Sequence, residues 1–412
     1  MTAGHSDLVK FESISSGRFV PVKAALSRMA ATAKINARKR AHALGQNLTT
    51  QKFVNQVKQA LQSVDMRSKF LSKVKARPAT SWLESEPVFQ DWLTPTSEEA
   101  SYLWVKGGPG LGKTNAALAA IQHISRAQNE EARISNTAGR SETFLAYFLC
   151  EDSTGCCTAE DLLKSLITQM IDQEDSLAQH AKWVAPNPQR RGPAFGETGL
   201  PGDGIPGGGA QATATVDNLW KYLQDMIEDP AVGSAHFIIS NMHCLETNGA
   251  TKALLSKMAA NAYLPEGLAP TARRAKWLVT SRQDSRISKY MMAERILLID
   301  LEDEMEYGNK VKVARQTYAR DRVSRLSSAR GYASDLAYCI RNSIESQPED
   351  ETWIDVLCIL LEAKPADIGT WSLRRWLREV ENYNTNTLID RAWEEVCSSK
   401  TSGQTMNSTN AA

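Results

Sequence analysis

Residues 102–114 read YLWVKGGPGLGKT, a short apolar run followed at once by a glycine-rich turn that ends in Lys113-Thr114. The pattern is that of a strand, a phosphate-binding loop and the first turn of a helix. Gly107, Gly108, Pro109, Gly110, Leu111 and Gly112 form a turn whose glycines let successive backbone N–H groups converge on an anion without a side chain in the way. Lys113 is placed to reach the outer phosphates of a nucleotide. The Thr114 hydroxyl is the kind of ligand that takes one position on a magnesium ion still holding several waters. Ala117, Leu118, Ile121 and Ile124 then recur at helical spacing, so a helix is expected through about Arg126, adding its positive dipole end to the same place. This context, rather than the spacing of Gly107 and Gly112-Lys113-Thr114 alone, makes the motif specific.

Outward from the loop, strand and helix signals alternate. Upstream, ATSWLESEPVFQDWL (79–93) is an aromatic-rich amphipathic segment read as core packing against the loop's own domain. Downstream come TFLAYFL (143–149), a helix from Ala159 to Ile171, a helix around Val216–Glu228, AHFIIS (235–240), a helix from Thr251 to Ala262, KWLVTSR (276–282) and RILLI (295–299). Five strand candidates separated by helices predict an α/β fold with a parallel sheet covered on both faces. Residues 185–211 are too rich in Pro and Gly to predict a packed element and read as a flexible insertion. After Asp303 the strand signals stop and helical periodicity takes over.

The chain of 412 residues, with 42% hydrophobic and 23% charged residues, is expected to hold two or three domains and has no apolar run of membrane-spanning length. No membrane insertion is therefore expected. The start, MTAGHSDLVKF, lacks the pattern of a secretory signal, and seven scattered cysteines without ligand spacing read as reduced thiols; both favour a cytoplasmic chain. The adjacent His243 and Cys244 are assigned neither metal binding nor thiol chemistry. Net charge is +1, yet thirteen basic residues from Lys23 to Arg77 face the single acid Asp65. This asymmetry is read as a solvated helical face, since aromatic residues are not interleaved with it, and no nucleic-acid partner is expected. The division expected is a disordered lead (1–22), a basic helical region (23–77), the sheet domain (78–302), a helical domain (303–397) and a disordered tail (398–412).

With these residues in place, the chain resembles a NACHT-type nucleotide-binding module of the signal-transducing ATPase class, in its nephrocystin-like N-terminal form. The resemblance rests on SWLESEPVFQDWL, LWVKGGPGLGKT, FLAYFLCED with the LLKSLITQMI helix, and VTSR at 279–282, with TWIDVLCILLEA and LIDRAWEEV further on. It implies a three-layer P-loop NTPase sheet followed by a winged-helix-like helical domain. It also implies ATP or GTP with Mg2+ held by Gly107 to Thr114, and Arg282 as a sensor of the terminal phosphate. One departure stands out. Where the family has a strand ending in Asp and then a second acidic pair, this chain has HFIISNMHCLE, with Ser240 in the first position and His243 and Cys244 in the later ones. Glu246 lies two positions further on and reads as a solvated loop carboxylate. Without the carboxylate that orients magnesium and its water, binding survives better than hydrolysis. The expectation is a nucleotide-dependent regulatory switch that hydrolyses weakly or not at all, acting through protein partners or self-association. The alternative is a degenerate NTPase fold serving as an interaction scaffold.

Overall fold

The computed structural model describes residues 51–63, 65–76, 82–94, 101–134, 143–150, 157–181, 208–262, 275–291, 296–345, 351–364 and 369–394. The expected lead and tail, the first part of the basic region and most of the insertion lie outside these residues.

The centre is a five-stranded, all-parallel sheet: β1 (Tyr102–Lys106), β2 (Thr143–Leu149), β3 (Ser234–Ser240), β4 (Ala275–Ser281) and β5 (Ile296–Asp300), in the order β2-β3-β4-β1-β5. Each strand falls where the apolar runs predict it. β1 is buried along its whole length, as a central strand covered on both faces must be. Four helices connect the strands: α4 (Lys113–Ile134), α5 (Ala159–Gln173), α6 (Gly208–Glu228) and α7 (Gly249–Ala262), with the short α8 (Ser285–Met291) before β5. The sheet's core is aromatic. Trp277 lies level with Phe237 on one side, at 4.4 Å, and Tyr102 on the other, at 6.1 Å, and Trp220 of α6 stacks on it at 5.7 Å. Each such pair adds roughly 0.5–1.5 kcal/mol beyond the area it buries.

Two helices outrun their expected bounds. α4 continues to Ile134 rather than ending near Arg126. Its added turns, QNEEAR, are polar but made of good helix formers, and Gln128 Nε2 donates to the Thr143 carbonyl at 2.7 Å, tying the extension to β2. α6 begins at Gly208, inside the stretch expected to hold no packed element, because alanines at 210, 212 and 214 carry the helix through its glycines.

The segments before β1 are part of this core. α1 (Gln51–Leu61) buries Val54, Val57 and Leu61, α2 (Met66–Ala76) buries Met66, and the Phe70 ring meets Tyr147 at 5.1 Å. Lys58 pairs with Asp172 at 2.7 Å, so at least one of the basic side chains faces an acid of the sheet domain. A 3-10 turn (Leu83–Ser85) and α3 (Pro87–Leu93) bury Leu83, Phe89 and Trp92. Lys276 Nζ donates to the Trp92 carbonyl and, at 2.9 Å, to that of Thr94.

From Tyr318 onward the chain forms a second hydrophobic core, built by the later turns of α9 (Gly308–Arg330), α10 (Ser334–Glu345), α11 (Glu351–Ala363), α12 (Thr370–Val380) and a helix over 385–394, while Val311 in the first turns of α9 packs in the sheet's core. Among the described residues this part contains no strand, so the wing of a winged-helix domain is not among its elements. α9 ends on Gly331 at φ 65°, the left-handed cap that glycine tolerates best. The base of α9 is fastened to the segment before β1: the buried Glu86 carboxylate accepts from Lys310 Nζ at 2.6 Å and from the Tyr307 hydroxyl at 3.3 Å.

Candidate functional site

The register of the sheet gathers four strand ends at one edge. Lys106 lies level with Ser281 of β4 and with Asp300 of β5, so Gly107, Arg282 and Leu301 leave the sheet side by side. Ile239 is level with Val279, which puts Ser240 and Asn241 in the next row. β4 sits between β1 and β3, and the crevice at the carboxyl ends of strands, where the chain order reverses, is the usual place for a ligand in an open parallel sheet. Two buried contacts set the edge: Trp104 Nε1 donates to Ser281 Oγ at 2.8 Å, and Lys106 pairs with Asp300 at 2.9 Å.

The loop leaving β1 has the geometry its glycines predict. Gly110 and Gly112 have φ of 67° and 86°. A Cβ on Gly107 would stand 2.9 Å from that of Leu301, so the backbone at Gly107 is packed too closely for any side chain. Pro109 is exposed at the tip, and Leu111 folds back toward Gly107. The loop's last residue opens α4, whose hydrogen-bonding begins with Ala116 N–H to the Gly112 carbonyl at 2.9 Å.

Lys113 is only 5% exposed, and its ammonium is turned into the loop, where it donates to the Gly108 carbonyl. Burial and then the nearby Arg282 guanidinium push its pKa down to about 8, against the opposing pull of Glu302 and Glu351. Arg282 is therefore in electrostatic reach of Lys113. Its side chain is exposed at the end of β4, and its N–H donates to His243 Nδ1 at 3.2 Å.

Thr114 faces Asn241. Asn241 Nδ2 donates to Thr114 Oγ1 at 3.2 Å, and Asn241 N–H donates to the Thr280 hydroxyl at 2.9 Å. Ser240, the last residue of β3, is 1% exposed, and its hydroxyl has no hydrogen-bond partner among the described residues. The side chain that meets Thr114 thus comes one residue later, because Asn241 adopts the left-handed conformation, φ 57° and ψ 47°. Asn is one of the few residues that visits that region readily, which is the one sequence signal that could have pointed to it. Glu246 is exposed and accepts from Asn248 Nδ2 at 3.2 Å.

Two groups absent from the sequence reading complete the site. Glu302, just beyond β5, has its Oε1 3.2 Å from where a Cβ on Gly108 would stand. Glu351, the first residue of α11, is 4% exposed and reaches the loop from the helical part. Beside them a cavity of about 810 Å3 opens between Leu111, Leu301 and Glu302 on one side and Gly308, Val311 and Arg315 of α9 on the other.

A family model described as Nephrocystin 3, N-terminal, matches residues 79–193. The matched stretch holds α3, β1, the glycine loop with Lys113 and Thr114, α4, β2 and α5, and it ends before β3, so Asn241, Arg282 and Glu351 lie beyond it. No curated protein matches the chain.

Proposed function

We propose that this chain is a nucleotide-binding regulatory switch module of the NACHT type, taking ATP or GTP with Mg2+, and hydrolysing it weakly or not at all. The observation that carries this reading is a buried ammonium turned into a loop whose glycines a Cβ would fill, at the edge where four strands end. Such a cradle fits a polyphosphate: the amides of Gly108, Gly110, Leu111 and Gly112 and the ammonium of Lys113 are the donors, and the start of α4 adds its dipole. Arg282 would stand beside the outer phosphates. The cavity between Leu111 and α9 leaves room for the nucleoside.

The fit to magnesium is poorer. Thr114 can offer its hydroxyl, but the neighbouring side chain is the Asn241 amide, which points an N–H rather than a carboxylate oxygen at it. A hydrated magnesium ion prefers at least one carboxylate in its outer or inner shell, and a water needs an acceptor to be aimed for attack. Hence binding is expected to persist while turnover stays below about 1 per second, the lower end of ordinary enzymes. Fluorescent-nucleotide titration of the wild type beside Lys113→Ala tests the reading. Equal affinity in the two proteins overturns it and leaves the scaffold reading.

A further inference from the structure

Among the described residues of the helical part, Glu351 reaches the loop. Its N–H donates to the Gly110 carbonyl at 3.3 Å, tying the start of α11 to the tip of the loop. Its Oε1 accepts from Asn115 Nδ2 at 2.7 Å, a contact between residues 236 positions apart. The same oxygen stands 3.3 Å from where a Cβ on Gly112 would be, directly against the backbone that gives the cradle its last glycine. Asn115 itself is 1% exposed, in the first turn of α4.

A buried carboxylate is costly unless donors and a counter-charge receive it. Here the receivers are the Asn115 amide, the positive end of α4 and the Lys113 ammonium, whose charge Glu351 supports. Two of these, the start of α4 and the Lys113 ammonium, are groups that would receive a phosphate. We infer that Glu351 is a built-in counter-anion of the phosphate loop, so that the helical part and a polyphosphate compete for the same cradle; this rests on the nucleotide-binding reading above. Two anions cannot share that space without strong mutual repulsion in a poorly hydrated setting. A nucleotide must therefore displace Glu351, and with it the bond from Glu351 N–H to Gly110, releasing α11. By linkage, whatever holds α11 in place weakens nucleotide binding by the same factor.

The test uses the full chain and two probes, a fluorescent ATP analogue and inorganic tripolyphosphate. Glu351→Gln keeps the shape and removes the charge; it is expected to bind both probes roughly tenfold more tightly than wild type, about the effect of one pKa unit of charge interaction. In wild type, adding either probe is expected to speed amide hydrogen exchange in residues 351–356, a readout that needs no variant and stands even if Glu351→Gln fails to fold. Unchanged or weaker affinity in a folded Glu351→Gln, or exchange in α11 that a saturating probe leaves unchanged or slows, overturns the competition. If wild type binds, Lys113→Ala does not, and Glu351→Gln matches wild type, only the counter-anion falls. If neither wild type nor a folded Glu351→Gln binds either probe, the nucleotide reading falls and takes this inference with it.

Discussion

The two flanks of the glycine loop are built to different standards. On one flank Gly107 to Lys113 form a cradle with positive φ at Gly110 and Gly112, a backbone at Gly107 packed too closely for a side chain, and a buried ammonium. On the other, where Thr114 meets the end of β3, the Asn241 amide faces the hydroxyl, and the buried Ser240 hydroxyl has no partner among the described residues. On the proposed reading, gripping an anion and splitting it would be separable here, because the two flanks are built from different strands. β1 and its loop would supply the grip, whereas a metal and its water would depend on the residues after β3.

The largest effect should come from the intact flank. Lys113→Ala removes a charge-assisted donor, and nucleotide affinity is expected to fall by at least about thirtyfold, the equivalent of ~2 kcal/mol. Isothermal titration measures this directly, and a smaller loss would mean that the loop's amides alone carry the grip. Next, Asn241→Asp places an acid beside Thr114 in a backbone conformation that Asp also tolerates. Roughly tenfold tighter nucleotide binding in Mg2+ than in EDTA, where wild type shows little difference, would repair the poorer flank. No response to Mg2+ in the variant would show that the two flanks do not serve one ligand.

Acidity sharpens the contrast further. Lys113 is charged below about 8 and neutral above it, so nucleotide affinity should fall several-fold between pH 7.5 and 9, approaching tenfold per unit at the upper end. Lys113→Arg should flatten that profile, since a guanidinium does not titrate there. The stability contribution runs the other way. Because folding lowers the pKa of Lys113, the cost of burying its charge is full below about 8 and is relieved as pH rises toward the ordinary value of 10.5. Thermal melts without nucleotide and titrations with it should thus move in opposite directions over that window. The smallest effect belongs to Arg282→Ala: the side chain is exposed, and about a threefold loss of affinity is expected, measurable as a selective loss for triphosphate over diphosphate.

Much of the fold is legible in the chain because its signals are local. The apolar runs at 102, 143, 235, 276 and 296 each specify a strand by themselves, and the glycine spacing specifies the loop. The site is legible only where it is made of neighbours. Glu351 and Asn115 meet across 236 positions, a contact that no periodicity encodes. That Asn241 rather than Ser240 meets Thr114 depends on the left-handed conformation of Asn241 itself, just after β3, which turns its own side chain toward the loop. The start of α6 at Gly208 was hidden by composition, since glycine lowers helix stability without forbidding it.

The fastening of α9 at Glu86 makes that helix a lever with a fixed fulcrum. With 23 residues it is about 35 Å long, so a swing of only about 10° about the Glu86–Lys310 contact carries its far end roughly 6 Å.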